Sequence, residues 1–190
     1  MSRGRRRPVV RIVGDSDQAR ACADRLQLAR FLLEPHATAP DVLVVAPAAP
    51  HDGRPLRDLP LAELDAAWQQ TVMASLQAIQ GALAAMVERG SGTVVLVVPS
   101  PSLGNGSGPL ALTDLLATGA LTAIVPVIAR EVSDPGVQSV CLVADAPRVT
   151  AEVVAWLVRP EPDSPDGPPV TMLDGETLLA GAVAREYGLV

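Results

Sequence analysis

Continuous apolar runs alternate along the chain with longer segments that carry a helical pattern of apolar residues. Such runs indicate strands buried on both faces of a sheet, because a solvated face would require alternating polar residues. The three strongest runs are 41–48 (DVLVVAPA), 93–100 (TVVLVVPS) and 137–145 (VQSVCLVAD). Two weaker strand candidates are 9–14 (VVRIVG) and 169–175 (PVTMLDG).

Helical segments lie between these runs. Residues 16–33 open with a suitable N-cap, Ser16 or Asp17, and continue with good helix formers. The longest helical segment is 61–89, and a further helix is expected over roughly 111–131. Strands that alternate with helices of this length form βαβ units with right-handed crossovers. The pattern therefore predicts an α/β fold with three layers, in which helices cover both faces of a parallel sheet.

Composition limits the number of domains and the class of partner. A chain of 190 residues with 48% hydrophobic content suits a single core, so we expect one domain over 9–190. The one basic cluster, RGRRR at 3–7, precedes the first apolar run and is expected to lie in a disordered tail, 1–8. The formal charge of −6 argues against a nucleic-acid surface, which needs clustered basic residues.

The metal-ligating residue types do not occur at the spacings of a metal site. Cys22 and Cys141 are isolated and lack CxxC spacing, so we expect buried free thiols. His36 and His51 flank a predicted strand without the close pairing of a zinc site, so no metal is predicted. No apolar run approaches the ~20 residues of a membrane-spanning helix. We therefore expect a cytoplasmic protein that does not contact a membrane.

The order of the segments resembles the short-chain dehydrogenase/reductase family, particularly its ketoacyl-reductase-like members. The resemblance runs from about residue 9 to residue 178. It is carried by Trp68, which stands seven residues before the family's helix asparagine position, by the junction MVERGSGTVV, and by the stretch AREVSDPGV. It implies a Rossmann-like parallel sheet of the family's type.

The same resemblance indicates that the catalytic positions have changed. In that family a tyrosine acts as general acid, and a lysine four residues later lowers its pKa and binds the cofactor ribose. Alignment places Asp114 at the tyrosine and Thr118 at the lysine, and Ser75 at the helix asparagine. Only the family's hydroxyl position is kept, at Ser100 or Ser102. We therefore expect no intact catalytic site of the family's kind.

The cofactor positions have changed as well. A dinucleotide site in this fold needs a glycine-rich turn at a helix N-terminus, where backbone N–H groups approach the pyrophosphate. The segment 9–20 offers Gly14 and then two acids, Asp15 and Asp17, which would repel a phosphate. It compares better with a later strand of the family, so we expect an N-terminally truncated fold that lacks about one βαβ unit. No cofactor is predicted.

Joint loss of these motifs alongside an intact apolar pattern suggests a structural or regulatory subunit. The resemblance implies assembly through the long helix and the helix that follows, and two helices this apolar exceed what one sheet covers. We expect this protein to associate with itself or, preferably, with a catalytically complete relative, in polyketide or fatty-acid-type biosynthesis. The expected interface residues are Leu76, Ile79, Leu83, Met86, Leu115 and Leu116.

The alternative is an enzyme with new chemistry in the same cleft. A cyclase, dehydratase or isomerase needs no nicotinamide, and Asp114 in an apolar cleft would have a raised pKa suited to acid or base work. Ser100 or Ser102 would then hydrogen-bond a substrate carbonyl. The more ordinary role for Asp114 is the N-terminal cap or first turn of a helix, together with Thr113.

Overall fold

The computed structural model describes residues 6–48, 56–100, 112–132, 136–159 and 173–189. The predicted α/β fold with a parallel sheet is confirmed. The strands are β1 Val9–Val13, β2 Leu32–Leu33, β3 Val42–Val45, β4 Gly92–Val98, β5 Val137–Val143 and β6 Thr177–Leu179. The helices are α1 Asp17–Leu28, α2 Leu61–Trp68, α3 Ala74–Arg89, α4 Leu112–Val132, α5 Pro147–Leu157 and α6 Ala180–Glu186. A 3₁₀ turn spans Leu56–Asp58 and a π-helical segment spans Gln69–Met73.

The six strands are all parallel and lie in the order β2-β1-β3-β4-β5-β6. β1 is therefore central: it pairs with β2 on one side and with β3 on the other, from Val10 opposite Val42 to Val13 opposite Val45. That is the place of the first strand in the usual doubly wound order 3-2-1-4-5-6. This corrects the register predicted for 9–20, which aligned β1 with a later strand. On that side of β1 the described residues form one strand, β2, where the usual order has two.

Side chains of the central strands alternate between two buried layers. In β3, Val42 and Val44 pack toward α1 and α5, whereas Leu43 and Val45 pack toward α3 and α4. Each of these four side chains is at most 4% exposed. This arrangement explains the continuous apolar runs, because a strand covered on both faces has no position at which water would favour a polar residue.

The helical segment predicted as 61–89 is interrupted near its middle by the π segment, Gln69–Met73. Two hydroxyls lie along this stretch four residues apart. Thr71 donates to the carbonyl of Ala67 at 2.6 Å, and Ser75 donates to the carbonyl of Thr71 at 2.5 Å. Such bonds to the carbonyl one turn back often accompany bends and irregular turns in helices. The segment then continues as α3 and ends at Gly90, which adopts the left-handed conformation with φ 71°.

The fifth strand candidate, 169–175, is corrected in the part that the structure describes. Residues 169–172 lie outside the described ranges, and Asp174 and Gly175 form a turn that leads into β6. Asp174 accepts hydrogen bonds from the backbone N–H of Ser139 at 2.7 Å and from its hydroxyl at 3.2 Å. These bonds fix the turn beside β5. The strand that follows, β6, therefore begins at Thr177, two residues after the end of the predicted segment 169–175.

Candidate functional site

The candidate site lies at the carboxyl ends of β1 and β3. The strand order reverses at β1, and doubly wound folds bind ligands in the crevice at such a point. Here the turn from β1 to α1 consists of Gly14, Asp15 and Ser16. Gly14 has φ 123°, and a Cβ at this position would overlap the carbonyl oxygen of Ala46. Glycine is therefore required for the close approach of this turn to the end of β3.

Ser16 fastens the turn to the neighbouring strand. Its hydroxyl donates to the carbonyl of Ala46 at 2.7 Å and accepts from the backbone N–H of Ala19 at 3.1 Å. The second bond caps α1 and satisfies one of the N–H groups that a helix N-terminus otherwise offers to an anion. We call these two hydrogen bonds the Ser16 clasp. It occupies the position at which a dinucleotide fold receives the pyrophosphate.

Charge beside the clasp is also unfavourable for a phosphate. Asp17 opens α1 and forms an ion pair with Arg20, and Arg20 also bonds the backbone carbonyl of Asp15 at 2.7 Å. A crevice of about 350 Å³ adjoins the turn and is lined by Asp15, Gln70 and Ser75 among others. Asp15 is the one charged residue among the described residues that line it. The residues present do not fit a dinucleotide phosphate, because the crevice carries negative charge.

The hydroxyls that alignment placed at catalytic positions are engaged within the fold. Ser75 is 2% exposed, and its hydroxyl donates a hydrogen bond to the backbone carbonyl of Thr71. Thr118, half-buried on α4, donates to the carbonyl of Pro99 at 3.3 Å and so connects α4 to the end of β4. Ser100 follows Pro99 directly and is half-buried. The structure thus places Thr118 and Ser100 at the same end of β4.

The side chain of Asp114 and the whole of Ser102, both predicted site residues, lie outside the part of the chain that the structure describes. The backbone of Asp114 is in the first turn of α4, but its side chain is outside the described part of the chain. Ser102 lies in 101–111, which is also outside it. The acid/base role suggested for Asp114 therefore stays a prediction.

The structure corrects the prediction for two of the expected interface residues, which lie in the core. Ile79 is 2% exposed and Met86 is 0% exposed, and both pack into the layer between the sheet and α3 and α4. Neither reaches a surface that a partner can contact. Leu76 and Leu83 are half-buried, and Leu83 packs against the same layer.

One group of exposed apolar residues lies on α4. Leu115 and Leu116 are 38% and 40% exposed, and Val127 is 52% exposed. Together with Gly119 and Ala123, which are exposed on the same side, these residues form what we call the outer face of α4. The opposite side of α4 packs against the sheet through its buried residues Leu121, Val125 and Ile128.

The window Leu115–Val132 of α4 is long and apolar enough to cross a membrane by length and composition alone. Its mean hydropathy is 1.6, and 28% of it is buried in the fold. A core helix of this composition would be mostly buried. α4 therefore combines a side that packs on β4 and β5 with an apolar side on which Leu115, Leu116 and Val127 are exposed.

The cysteines are buried free thiols, as predicted. Burial raises the pKa of the Cys22 thiol to about 12. Burial also raises the pKa of Cys141, although hydrogen bonds from Thr122 and Thr177 oppose this shift. Both thiols are thereby kept protonated and unreactive near neutral pH. Within the described residues, no group of three or more His, Cys, Asp or Glu side chains is arranged to hold a metal ion.

Sequence reasoning missed the π segment and the Ser16 clasp. The pair Thr71 and Ser75, four residues apart in the longest helical segment, was a signal for a helix irregularity. The partner of Ser16 had no such signal, because Ala46 contributes only its backbone carbonyl and lies 30 residues away.

No family model matches the sequence, and no curated protein matches it. Similarity is found among solved structures. A protein provisionally named a betaketoacyl-ACP reductase aligns with 90% of this chain and 95% of its own, at a TM-score of 0.70 and 16% identity. A short-chain dehydrogenase/reductase family protein aligns with 91% and 95%, at the same TM-score and 16% identity. The halohydrin dehalogenase HheC, bound to ethyl (2S)-oxiran-2-ylacetate, aligns with 90% and 94%, with a TM-score of 0.70 and 13% identity.

These alignments establish that the chain has the fold of the short-chain dehydrogenases/reductases. At identities of 13–16%, they establish the fold alone.

Proposed function

We propose that this protein is a non-catalytic relative of the short-chain dehydrogenases/reductases that acts as a structural or regulatory subunit. It associates through the outer face of α4 with a catalytically complete member of the family. The observation that carries this proposal is the exposed apolar side of α4, which lies opposite the side that packs on the sheet. Exposed apolar surface of this kind usually marks a contact with another protein.

The hydroxyls that alignment placed at catalytic positions support a role without catalysis. Ser75 and Thr118 direct their hydroxyl protons to carbonyls of the chain itself, at Thr71 and Pro99. The Ser16 clasp and the acidic residues beside it oppose phosphate binding. In the short-chain dehydrogenases/reductases this chain resembles, hydride transfer requires both a bound dinucleotide and a general acid. The acidic turn after β1 argues against the first requirement, and alignment places Asp114 where the family's general acid stands.

A complete relative is the partner we favour over a second copy. An inactive assembly of identical chains has no evident use, whereas an inactive subunit can stabilise or position an active one. A relative of the same fold has a helix that corresponds to α4. We expect the apolar side of that helix to pack against the outer face of α4. We place this role in the cytoplasm and in polyketide or fatty-acid-type biosynthesis, in line with the ketoacyl-reductase-like character of the sequence.

A second candidate function is favoured by one of the structural neighbours. HheC is named a halohydrin dehalogenase and is bound to an oxirane, so the fold also occurs in a protein that is named for a reaction other than oxidation or reduction. A cofactor-independent enzyme that uses Asp114 as its acid or base remains the alternative. It requires a substrate in the crevice and does not require a partner at α4.

The test is co-expression of the chain with the complete reductases of the same host that carry the YxxxK motif. Affinity capture of the tagged chain should retain one of these reductases. Leu116→Glu should abolish the capture, because an unpaired carboxylate is costly in an apolar interface. Leu28→Glu is the matched control: Leu28 is 79% exposed at the end of α1, on the opposite side of the sheet. Equal capture by both variants would contradict the proposal.

A further inference from the structure

A second concave site lies at the opposite edge of the sheet from the crevice. It is found where β3, β4 and β5 begin and α5 ends, and its volume is about 470 Å³. Volumes of this size are typical of small-molecule sites. The charged residues that line it are Arg6, Asp41, Arg89 and Arg159. We call this concavity the arginine cavity.

The charges of the arginine cavity do not balance. Three arginines line it with one aspartate, in a chain whose formal charge is −6. The carboxylate of Asp41 accepts two hydrogen bonds from Arg6, at 2.9 and 3.0 Å, and lies 3.7 Å from Arg89. It also accepts from the backbone N–H of Val9 at 2.7 Å. One carboxylate offsets one guanidinium, so two positive charges are left in excess.

The arginines differ in what they can contribute. Arg89 is held by the carbonyls of Pro40 at 2.8 Å and Ser91 at 3.0 Å, so it supplies a fixed positive charge. The side chain of Arg6 is 71% exposed and Arg159 is exposed, so both can reorient toward a ligand. Guanidinium groups bind phosphoryl oxygens well because their planar donors match the oxygen spacing.

Arg6, in the described end of the basic segment RGRRR, lines this cavity. Arg6 belongs to that segment, at 3–7, and the structure shows that it already pairs with Asp41 in the folded part of the chain. The predicted tail, 1–8, therefore becomes part of the fold at Arg6. The described end of the one basic cluster in an acidic sequence thus lines the arginine cavity.

From this arrangement we propose that the arginine cavity binds a phosphoryl dianion. A dianion matches the two surplus charges, whereas a single carboxylate would leave one unbalanced. The site is separate from the crevice at the carboxyl ends of the strands and from the outer face of α4. It is therefore independent of the proposed subunit function, and either can fail without the other.

Calorimetric titration at low ionic strength tests the proposal, with inorganic phosphate, sulfate and acetate as probes. Phosphate and sulfate should bind saturably with similar affinity, and acetate should bind much more weakly. Added salt should weaken phosphate binding, because the contacts are exposed to solvent. Absence of saturable phosphate binding, or equal binding of acetate, would overturn the proposal.

Substitutions assign the binding to the cavity. Arg159→Gln and Arg6→Gln should each weaken phosphate binding by roughly two- to fivefold, the range expected for one exposed charge contact. Arg148→Gln, which removes an exposed arginine outside the cavity, should leave the affinity unchanged. Asp41→Asn should tighten binding, because it removes the competing carboxylate. If Asp41→Asn melts early, the comparison of Arg159→Gln with Arg148→Gln still decides: an equal effect of the two would refute the site.

Discussion

Removal of the Ser16 clasp should destabilise the fold by a predictable amount. Ser16→Ala deletes the cap of α1, whose loss typically costs about 1 kcal/mol. It also leaves the carbonyl of Ala46 without the donor that lies 2.7 Å away, at a further ~1 kcal/mol. We therefore expect the free energy of unfolding to fall by about 2 kcal/mol, which corresponds to about 4–8 °C in Tm for a chain of this size.

Two companion variants separate the two hydrogen bonds. Ser16→Asp retains an acceptor for the N–H of Ala19 but has no proton to give Ala46, so it should lose only part of the stability. Ser16→Gly removes both side-chain hydrogen bonds, but glycine is tolerated at an N-cap, so its loss of stability should come mainly from the carbonyl of Ala46. Urea denaturation monitored by circular dichroism measures each change, and an unchanged slope with denaturant would show that unfolding remains comparable between variants.

If the free energy of unfolding of Ser16→Ala lies within about 0.5 kcal/mol of the wild-type value, the range of an ordinary surface substitution, the clasp does not stabilise the fold as described. The turn after β1 would then be held by Gly14 and its fit against Ala46, and the clasp would not be what occupies the phosphate position.

Three further predictions follow from the same structure. Neither NADH nor NADPH should bind in a calorimetric titration, because acidic residues and the Ser16 clasp occupy the turn after β1; saturable binding in the micromolar range would overturn this. Cys22 should resist alkylation in the folded protein and react once the protein is unfolded. Because burial raises its pKa from 9.0 to about 12, the contribution of Cys22 to the free energy of unfolding should be fully present below pH 9.0 and decline as the pH rises toward 12. Asp114→Asn should leave the biological role intact if the protein is a subunit, because asparagine caps a helix about as well as aspartate; a folded variant with no pathway product would favour the enzyme alternative.

Most of the fold could be predicted from the apolar runs of the sequence. The strands at Val42–Val45, Gly92–Val98 and Val137–Val143 are buried on both faces, so their composition carries the signal directly. The position of β1 could not be predicted in this way. Its register was inferred from the glycine-poor turn after it, whereas strand order depends on which backbone edges pair, and apolar side chains on both faces leave that choice open.

The candidate site was less predictable than the fold. The stripe of Leu76, Ile79, Leu83 and Met86 was recognised as one side of a helix, but periodicity cannot show whether that side packs on the chain's own sheet or on a partner. The structure assigns Ile79 and Met86 to the core. Leu116 is the better test of assembly, because it is exposed on the outer face of α4.

The mass of the assembly in solution tests the central claim most directly. Size-exclusion chromatography with light scattering would be applied to the chain, to a YxxxK-bearing reductase of the same host, and to their mixture. We expect a mixed species in which both chains are present, which Leu116→Glu dissociates while thermal melting shows that the variant stays folded. A chain that elutes as a monomer in every mixture, or a mixed species that Leu116→Glu leaves intact, would contradict the account.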